Sequence, residues 1–235
     1  MCSKKLGIMQ PYLFPYIGYW QAINAVDEYV LLDDVNFIMR GYINRNNILL
    51  NGKAYLFSVP LEKPSQNKLI SETKLNFLEK DKENFLKTIT MAYKKAPYFN
   101  DVFPIIKEII LNSENDLTKY IKYSIETIQK YLNITTRIEL SSNIEKDNSL
   151  KSQERILEIN KKLNSTIYIN AIGGQELYDK DAFLASGIEL KFIKTLPYEY
   201  KQFNNDFVPN LSIIDVLMFN SKDEVNSMLS KYELV

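Results

Sequence analysis

Histidine is absent from this 235-residue chain. Without an imidazole there is no Ser-His-Asp triad, no histidine general base, no histidine-ligated zinc and no HxGH nucleotide loop. Cysteine occurs once, as Cys2. A single thiol forms neither an internal disulfide nor a multi-thiolate metal site, and it suits a reducing compartment. Net charge is also lacking, since 29 Lys and Arg balance 29 Asp and Glu. That balance argues against electrostatically driven nucleic-acid binding. No apolar run reaches the length of a membrane span, and MCSKKLGIMQPY lacks the apolar region of a signal peptide, so a cytoplasmic protein without a membrane span is expected. Neither GxGxxG nor GxxxxGK(S/T) occurs.

Glycine is scarce, with seven in all, so its placement is informative. Gly18 and Gly41 fall in the opening stretch, Gly52 forms an Asn-Gly turn, and Gly173 and Gly174 are adjacent. The opening stretch reads as an apolar strand (6–9), a Pro- and Gly-punctuated loop (10–18), a helix, and a second strand (28–33) that ends in Asp33 and Asp34. In an open parallel sheet the carboxyl ends of strands face one crevice where ligands bind. Loop 10–18, with Gln10, Tyr12 and Gly18, and Tyr19 just after it are therefore expected to meet the Asp33/Asp34 pair there. The polar tail 40–46 joins them, and its Arg40, Asn44, Arg45 and Asn46 supply donors for an anion.

Farther along, 49–53 reads as a hairpin turn and 54–60 as a strand. A polar loop over 62–71 carries Lys68, and 69–77 is expected to be another strand. Apolar residues at helical spacing predict helices over 79–93, 97–111 and 116–132, a helical insert with no strand inside it. Strands at 135–140, 166–170 and 188–193 then alternate with helices at 150–163 and 176–186, and Gly187 stops the second helix. A crossing loop (196–210) precedes a helix over 211–219, and a last helix (222–232) ends the chain. The fold class is α/β, a Rossmann-like open, mostly parallel sheet with flanking helices. Residues 1–235 form one domain, with 79–132 as insert or subdomain. The second strand-loop-helix unit, around Asn170, Gly173 and Gly174, lets a ligand approach the backbone closely. Arg155, near a helix start, is a further anion-binding candidate.

At MQPYLFPYIGYWQAINAVDEYVLLDDV, RGYINRN, SQNKLI, AYKKAPYF, SQERI, YINAIGGQELYD and NDFVPNLSIIDVLMFNS, the sequence resembles the WbqC-like family of bacterial proteins over nearly its whole length. Members of that family occur in gene sets for O-antigen, capsule and flagellar glycans, beside enzymes that make nucleotide-linked amino sugars. The resemblance implies transfer of a glycyl or similar acyl group to the amine of such a sugar. Many relatives have histidine in an HQP version of the opening motif; this chain has Met9. The opening unit also looks like the first half of the adenylating nucleotidyltransferase fold, with Tyr16 and Tyr19 where the HxGH histidines would stand.

On these readings Arg40, Arg45, Lys68 and the Gly173/Gly174 backbone cradle a diphosphate. Asp33 or Asp34 takes the proton of the sugar ammonium, and Asn44 and Asn46 donate to the developing oxyanion. The co-substrate is open between an acyl donor and Mg-ATP. No protein metal site is expected, since Asp33, Asp34 and Asp206 would meet magnesium only through substrate phosphates. The alternatives are an ATP-dependent adenylating amide ligase and a noncatalytic nucleotide-sugar-binding partner in a glycan assembly. A homodimer is also left open.

Overall fold

The computed structural model describes residues 3–235, so the expectation attached to Cys2 lies outside the described residues. Its central sheet has six strands in the order β10-β9-β8-β1-β2-β7. These are β1 (Lys5–Met9), β2 (Glu28–Leu31), β7 (Arg137–Leu140), β8 (Ile167–Ala171), β9 (Glu189–Thr195) and β10 (Tyr232–Leu234). All neighbouring pairs are parallel except β9 with β10. Chain order runs outward from β1 through β2 to β7, then returns to β8 on the other side of β1. The sheet therefore reverses direction between β1 and β8, which is where an open α/β sheet leaves a crevice at its carboxyl edge.

Helices cover both faces. One core contains α1 (Ile17–Asn24), α4 (Leu117–Leu132), α7 (Ile213–Phe219) and α8 (Lys222–Leu229), together with α2 (Glu79–Tyr93) and α3 (Phe99–Leu111). On the other face, Ile156 and Ile159 of α5 (Ser152–Lys162) and Phe183 of α6 (Lys180–Ala185) pack on Leu6, Ile8 and Tyr168. A hairpin of β3 (Arg45–Leu50) and β4 (Lys53–Ser58) stands apart from the sheet. Its two-residue turn places Asn51 at φ 51° and Gly52 at φ 73°, the left-handed pair that an Asn-Gly turn accepts. Gly7 has a steric role: a Cβ there would lie 2.6 Å from the Tyr29 ring on the adjoining strand. No helix among the described residues is long and apolar enough to cross a membrane.

Three elements differ from the sequence-based expectation. Over 69–77 only Lys74–Leu75 (β6) is strand, paired with Leu61–Glu62 (β5). The Glu72 carboxylate accepts the Leu69 N–H at 2.9 Å and closes a 3-10 turn where the strand was expected. The helix expected over 176–186 is divided into a 3-10 turn (Ile172–Leu177) and α6. Asp179 caps α6 by accepting the Asp181 N–H at 2.9 Å, while Tyr178 turns inward against Tyr168 and Phe183. The last helix stops at Leu229, and the chain continues as β10. Buried Gln21 causes that stop by donating from Nε2 to the carbonyls of Met228 and Lys231, at 2.8 and 3.0 Å.

Candidate functional site

A cleft of about 460 Å³ opens at the point where the sheet reverses. Its floor is the carboxyl end of β1 (Ile8 to Gln10) and of β8 (Asn170, Ala171). One wall is the loop after β1, with Pro11, Tyr12, Tyr16 and Tyr19, joined by Ile38, Gly41, Tyr42 and Ile43. Gly173, Gly174, Leu177 and Tyr178 form the other wall. Both lips are apolar and open: Ile38 and Tyr42 are 50% and 52% exposed, and Leu177 is 68% exposed. Among the described residues no charged side chain lines this space.

The β1 loop is held from several directions, which makes the tyrosine wall a fixed surface. Phe14 adopts φ 46°, and its carbonyl accepts from Asn46 Nδ2 at 2.6 Å and Ser212 Oγ at 2.9 Å. The Pro15 carbonyl takes the Trp20 indole N–H at 3.2 Å and the Ile213 N–H at 2.9 Å. Leu13 N–H donates to the Ile43 carbonyl at 3.0 Å. On this frame Tyr12 packs against three rings, with centroids 6.4 Å from Tyr16, 5.9 Å from Tyr19 and 5.8 Å from Tyr42. Burial raises the pKa of the Tyr12, Tyr16 and Tyr178 hydroxyls, so they are neutral at physiological pH. The Tyr19 hydroxyl donates to the Gln10 carbonyl at 3.0 Å, and the Gln10 side chain makes no hydrogen bond among the described residues.

The residues singled out in the sequence fall into four groups. Gln10, Tyr12, Tyr19, Asn170, Gly173 and Gly174 meet at the cleft. Arg45 stands beside it: Nε donates to the Gly41 carbonyl at 3.0 Å, and the guanidinium lies 5.6 Å from the Tyr42 ring centre. Its other N–H bonds have no protein acceptor among the described residues. Arg40 and Lys68 are exposed and do not line the cleft.

The remaining residues are engaged within the fold. Asp33 is fully buried and accepts the Ser142 N–H at 2.8 Å and its hydroxyl at 2.7 Å, joining the end of β2 to the turn after β7. Burial raises the Asp33 pKa, and the bonds from Ser142 oppose the rise. Asp34 faces Lys146 Nζ at 2.7 Å and Arg155 at 3.7 Å. These contacts are ion pairs outside hydrogen-bond geometry, so neither Asp34 oxygen has a hydrogen-bond partner. Arg155 also donates to the carbonyls of Asp34, Asn148 and Leu150, which occupies its guanidinium with backbone. Asn44 Nδ2 donates to the Val59 carbonyl at 2.8 Å. Gly18 gives Tyr16 room to fold back, since a Cβ there would lie 2.5 Å from its ring.

Sequence reasoning left Tyr42 and Tyr178 out of the site, although both line it.

The molecule is thus an α/β protein with a mostly parallel sheet, helices on both faces and an aromatic, uncharged cleft where strand order reverses. The chain belongs to the WbqC-like protein family, whose model matches residues 10–227. It is similar to the uncharacterized protein Rv1507c of Mycobacterium tuberculosis, at 26% identity over 220 residues, which covers 92% of this chain and 94% of that protein. No solved structure matches it.

Proposed function

We propose that this protein is an enzyme of bacterial surface-glycan biosynthesis that transfers an acyl or aminoacyl group to the amine of a nucleotide-linked amino-deoxy sugar. The sugar nucleotide binds in the cleft between β1 and β8. In this reading the chain is one Rossmann-like domain, 1–235, with helices 79–132 as an insert on its core, and it works in the cytoplasm. The observation that carries the proposal is the cleft itself: nucleoside-sized, walled by neutral tyrosines, and placed where an open α/β sheet binds ligands.

The absence of charge in the lining suits acylation of an amine. An ammonium group brought into an uncharged cleft loses hydration without gaining a counter-ion, so its pKa falls and the nucleophilic amine is favoured. Asp33 and Asp34 then act as positioning residues that hold the end of β2. The amine nitrogen forms a bond to the acyl carbon as the donor's leaving group departs, and that group takes up the released proton. Arg45, with free N–H bonds at the rim, is placed to meet a diphosphate. Mass spectrometry of an amino-sugar nucleotide incubated with the protein and an activated acyl donor tests the transfer. A product heavier by the acyl group is expected, and unchanged substrate across thioester and Mg-ATP-activated donors would contradict it.

One observation favours a second reading. Among the described residues the cleft lining has no carboxylate, amine, guanidinium or thiol, and its only titratable groups are neutral tyrosines. A noncatalytic sugar-nucleotide-binding partner of a glycan assembly has the same site and requires none. Binding without turnover would select it. The adenylating-ligase alternative needs cations around a triphosphate, and Arg155 and Lys146 are already engaged with Asp34 and backbone carbonyls.

A further inference from the structure

We propose that the turn from Ile38 to Gly41 docks this protein on an anionic bilayer surface, with the mouth of the cleft against the phospholipid headgroups. The proposal concerns the rim of the cleft and does not depend on which ligand the cleft holds.

Residues 38–42 stand between two fixed ends. Phe37 and Ile43 are buried. The Phe37 N–H donates to the Lys68 carbonyl at 2.8 Å, and the Ile43 carbonyl accepts the Leu13 N–H at 3.0 Å. Between them the Ile38 carbonyl accepts the Gly41 N–H at 3.0 Å and closes a four-residue turn. Its third residue, Arg40, has φ 63°. A turn with a left-handed third residue ordinarily places glycine or asparagine there, so the backbone is strained in presenting an arginine. The Arg40 side chain is exposed and bonds to no protein group among the described residues. Met39 precedes it at 47% exposure, and Ile38 and Tyr42 flank the turn, each about half exposed. Apolar exposure and a strained turn thus coincide at one point, and the fold recovers neither.

The chemistry around the turn selects the partner. Between Asp34 and Glu62 the chain has no carboxylate, and its only charges are Arg40, Arg45 and Lys53. Lys68 is held beside the turn by the Phe37 bond and by Asn36 Nδ2, which donates to the Gln66 carbonyl at 3.0 Å. The Glu72 carboxylate is turned back onto the Leu69 N–H. Apolar side chains among cations suit a phospholipid surface, where the apolar groups enter between headgroups and the cations meet phosphates. One turn falls far short of the roughly 20–30 residues that a stable protein interface uses on each side. The opposite lip also exposes Leu177, but Glu176, Asp179 and Asp181 stand on it, which confines the contact to the first lip. Ile38, Gly41 and Tyr42 line the cleft as well, so docking sets its mouth against the headgroup layer.

Co-sedimentation of the full chain with vesicles of phosphatidylcholine alone, and of phosphatidylcholine with phosphatidylglycerol, tests the proposal. Wild type is expected to bind the anionic vesicles, to leave them as salt is raised, and to bind neutral vesicles weakly. Arg40→Gly is expected to bind the anionic vesicles about fivefold more weakly, the contribution of one cation near such a surface. Glycine accepts the left-handed turn, so the melting midpoint of this variant should not fall. The double variant Ile38→Ser, Met39→Ser changes only exposed side chains and is expected to lose about tenfold or more. Absence of wild-type binding to either vesicle would overturn the proposal and leave the turn to a protein partner. Equal binding to neutral and anionic vesicles, or unchanged binding by the double variant, would overturn it too.

Discussion

Asp215 is completely buried on α7, and no cation among the described residues pairs with it. Its Oδ1 accepts from the Tyr93 hydroxyl at 2.8 Å, and its Oδ2 accepts from the Tyr200 hydroxyl and Gln202 Nε2, both at 2.6 Å. Tyr93 in turn accepts the Leu49 N–H at 2.8 Å. The carboxylate thus joins α2, the β3 hairpin and the crossing loop after β9. Asp215→Ala would leave the Tyr93 and Tyr200 hydroxyls without an acceptor and Gln202 Nε2 with the Val208 carbonyl alone. At about 1–3 kcal/mol for each orphaned group, discounted because neighbours are not additive, the cost is about 3–6 kcal/mol. For a chain of this length that lowers the melting midpoint by roughly 10–20 °C. Urea unfolding measures it directly, and Asp215→Ala in a Tyr200→Phe background should lose about 1 kcal/mol less, because one donor is already gone. A midpoint within 2 °C of wild type would refute the reasoning.

The pH dependence of the same residue has a definite sign. Burial raises the Asp215 pKa above its usual value, although the bonds from Tyr200, Tyr93 and Gln202 oppose the rise. A carboxyl whose folded pKa is raised contributes most below its unfolded pKa and loses that contribution as pH rises through the folded pKa. The stability of wild type relative to Asp215→Asn should therefore fall from about pH 4 toward neutrality.

The other predictions concern residues that share chemistry with a catalytic site but hold the fold. Asn46→Ala should lower stability by about 1–3 kcal/mol, because it removes the donor to the Phe14 carbonyl and the acceptor of the Asn47 N–H; calorimetry with and without a bound sugar nucleotide separates this loss from weaker binding. Asp34→Ala strands the buried Lys146 and the partly buried Arg155, so a loss of about 3–5 kcal/mol is expected in urea unfolding. Unchanged stability in either variant would return that residue to the list of catalytic candidates.

How much was legible in the sequence depended on the range over which a residue finds its partner. The opening strand, loop, helix and strand show in local apolar runs and Pro-Gly punctuation, and the structure has them within a few residues. The Asn51-Gly52 turn was legible for the same reason. Gln10, Tyr12, Tyr19, Asn170, Gly173 and Gly174 meet in one cleft because both strand-loop-helix units end at adjoining strands. Asn46 and Arg155 look the same in sequence whether they hold a ligand or a carbonyl. Their actual partners, Phe14 and Asp34, lie 32 and 121 positions away. The same limit hid β10. Its four-residue surroundings suggest a continuing helix, and the group that ends the helix is Gln21, more than 200 positions upstream.

The most direct test of the central claim is the affinity of an amino-sugar nucleotide for the wild type and for Tyr12→Ala. Tyr12 is half-buried in the middle of the tyrosine wall and supports no hydrogen bond of the fold, so the variant is expected to stay folded, which its melting curve checks. A base or sugar ring stacked against that wall contributes about 1–3 kcal/mol. The account predicts saturable binding to the wild type and a roughly 5- to 150-fold weaker constant for Tyr12→Ala. Equal affinity in a folded Tyr12→Ala would place the ligand elsewhere on the molecule and contradict the account.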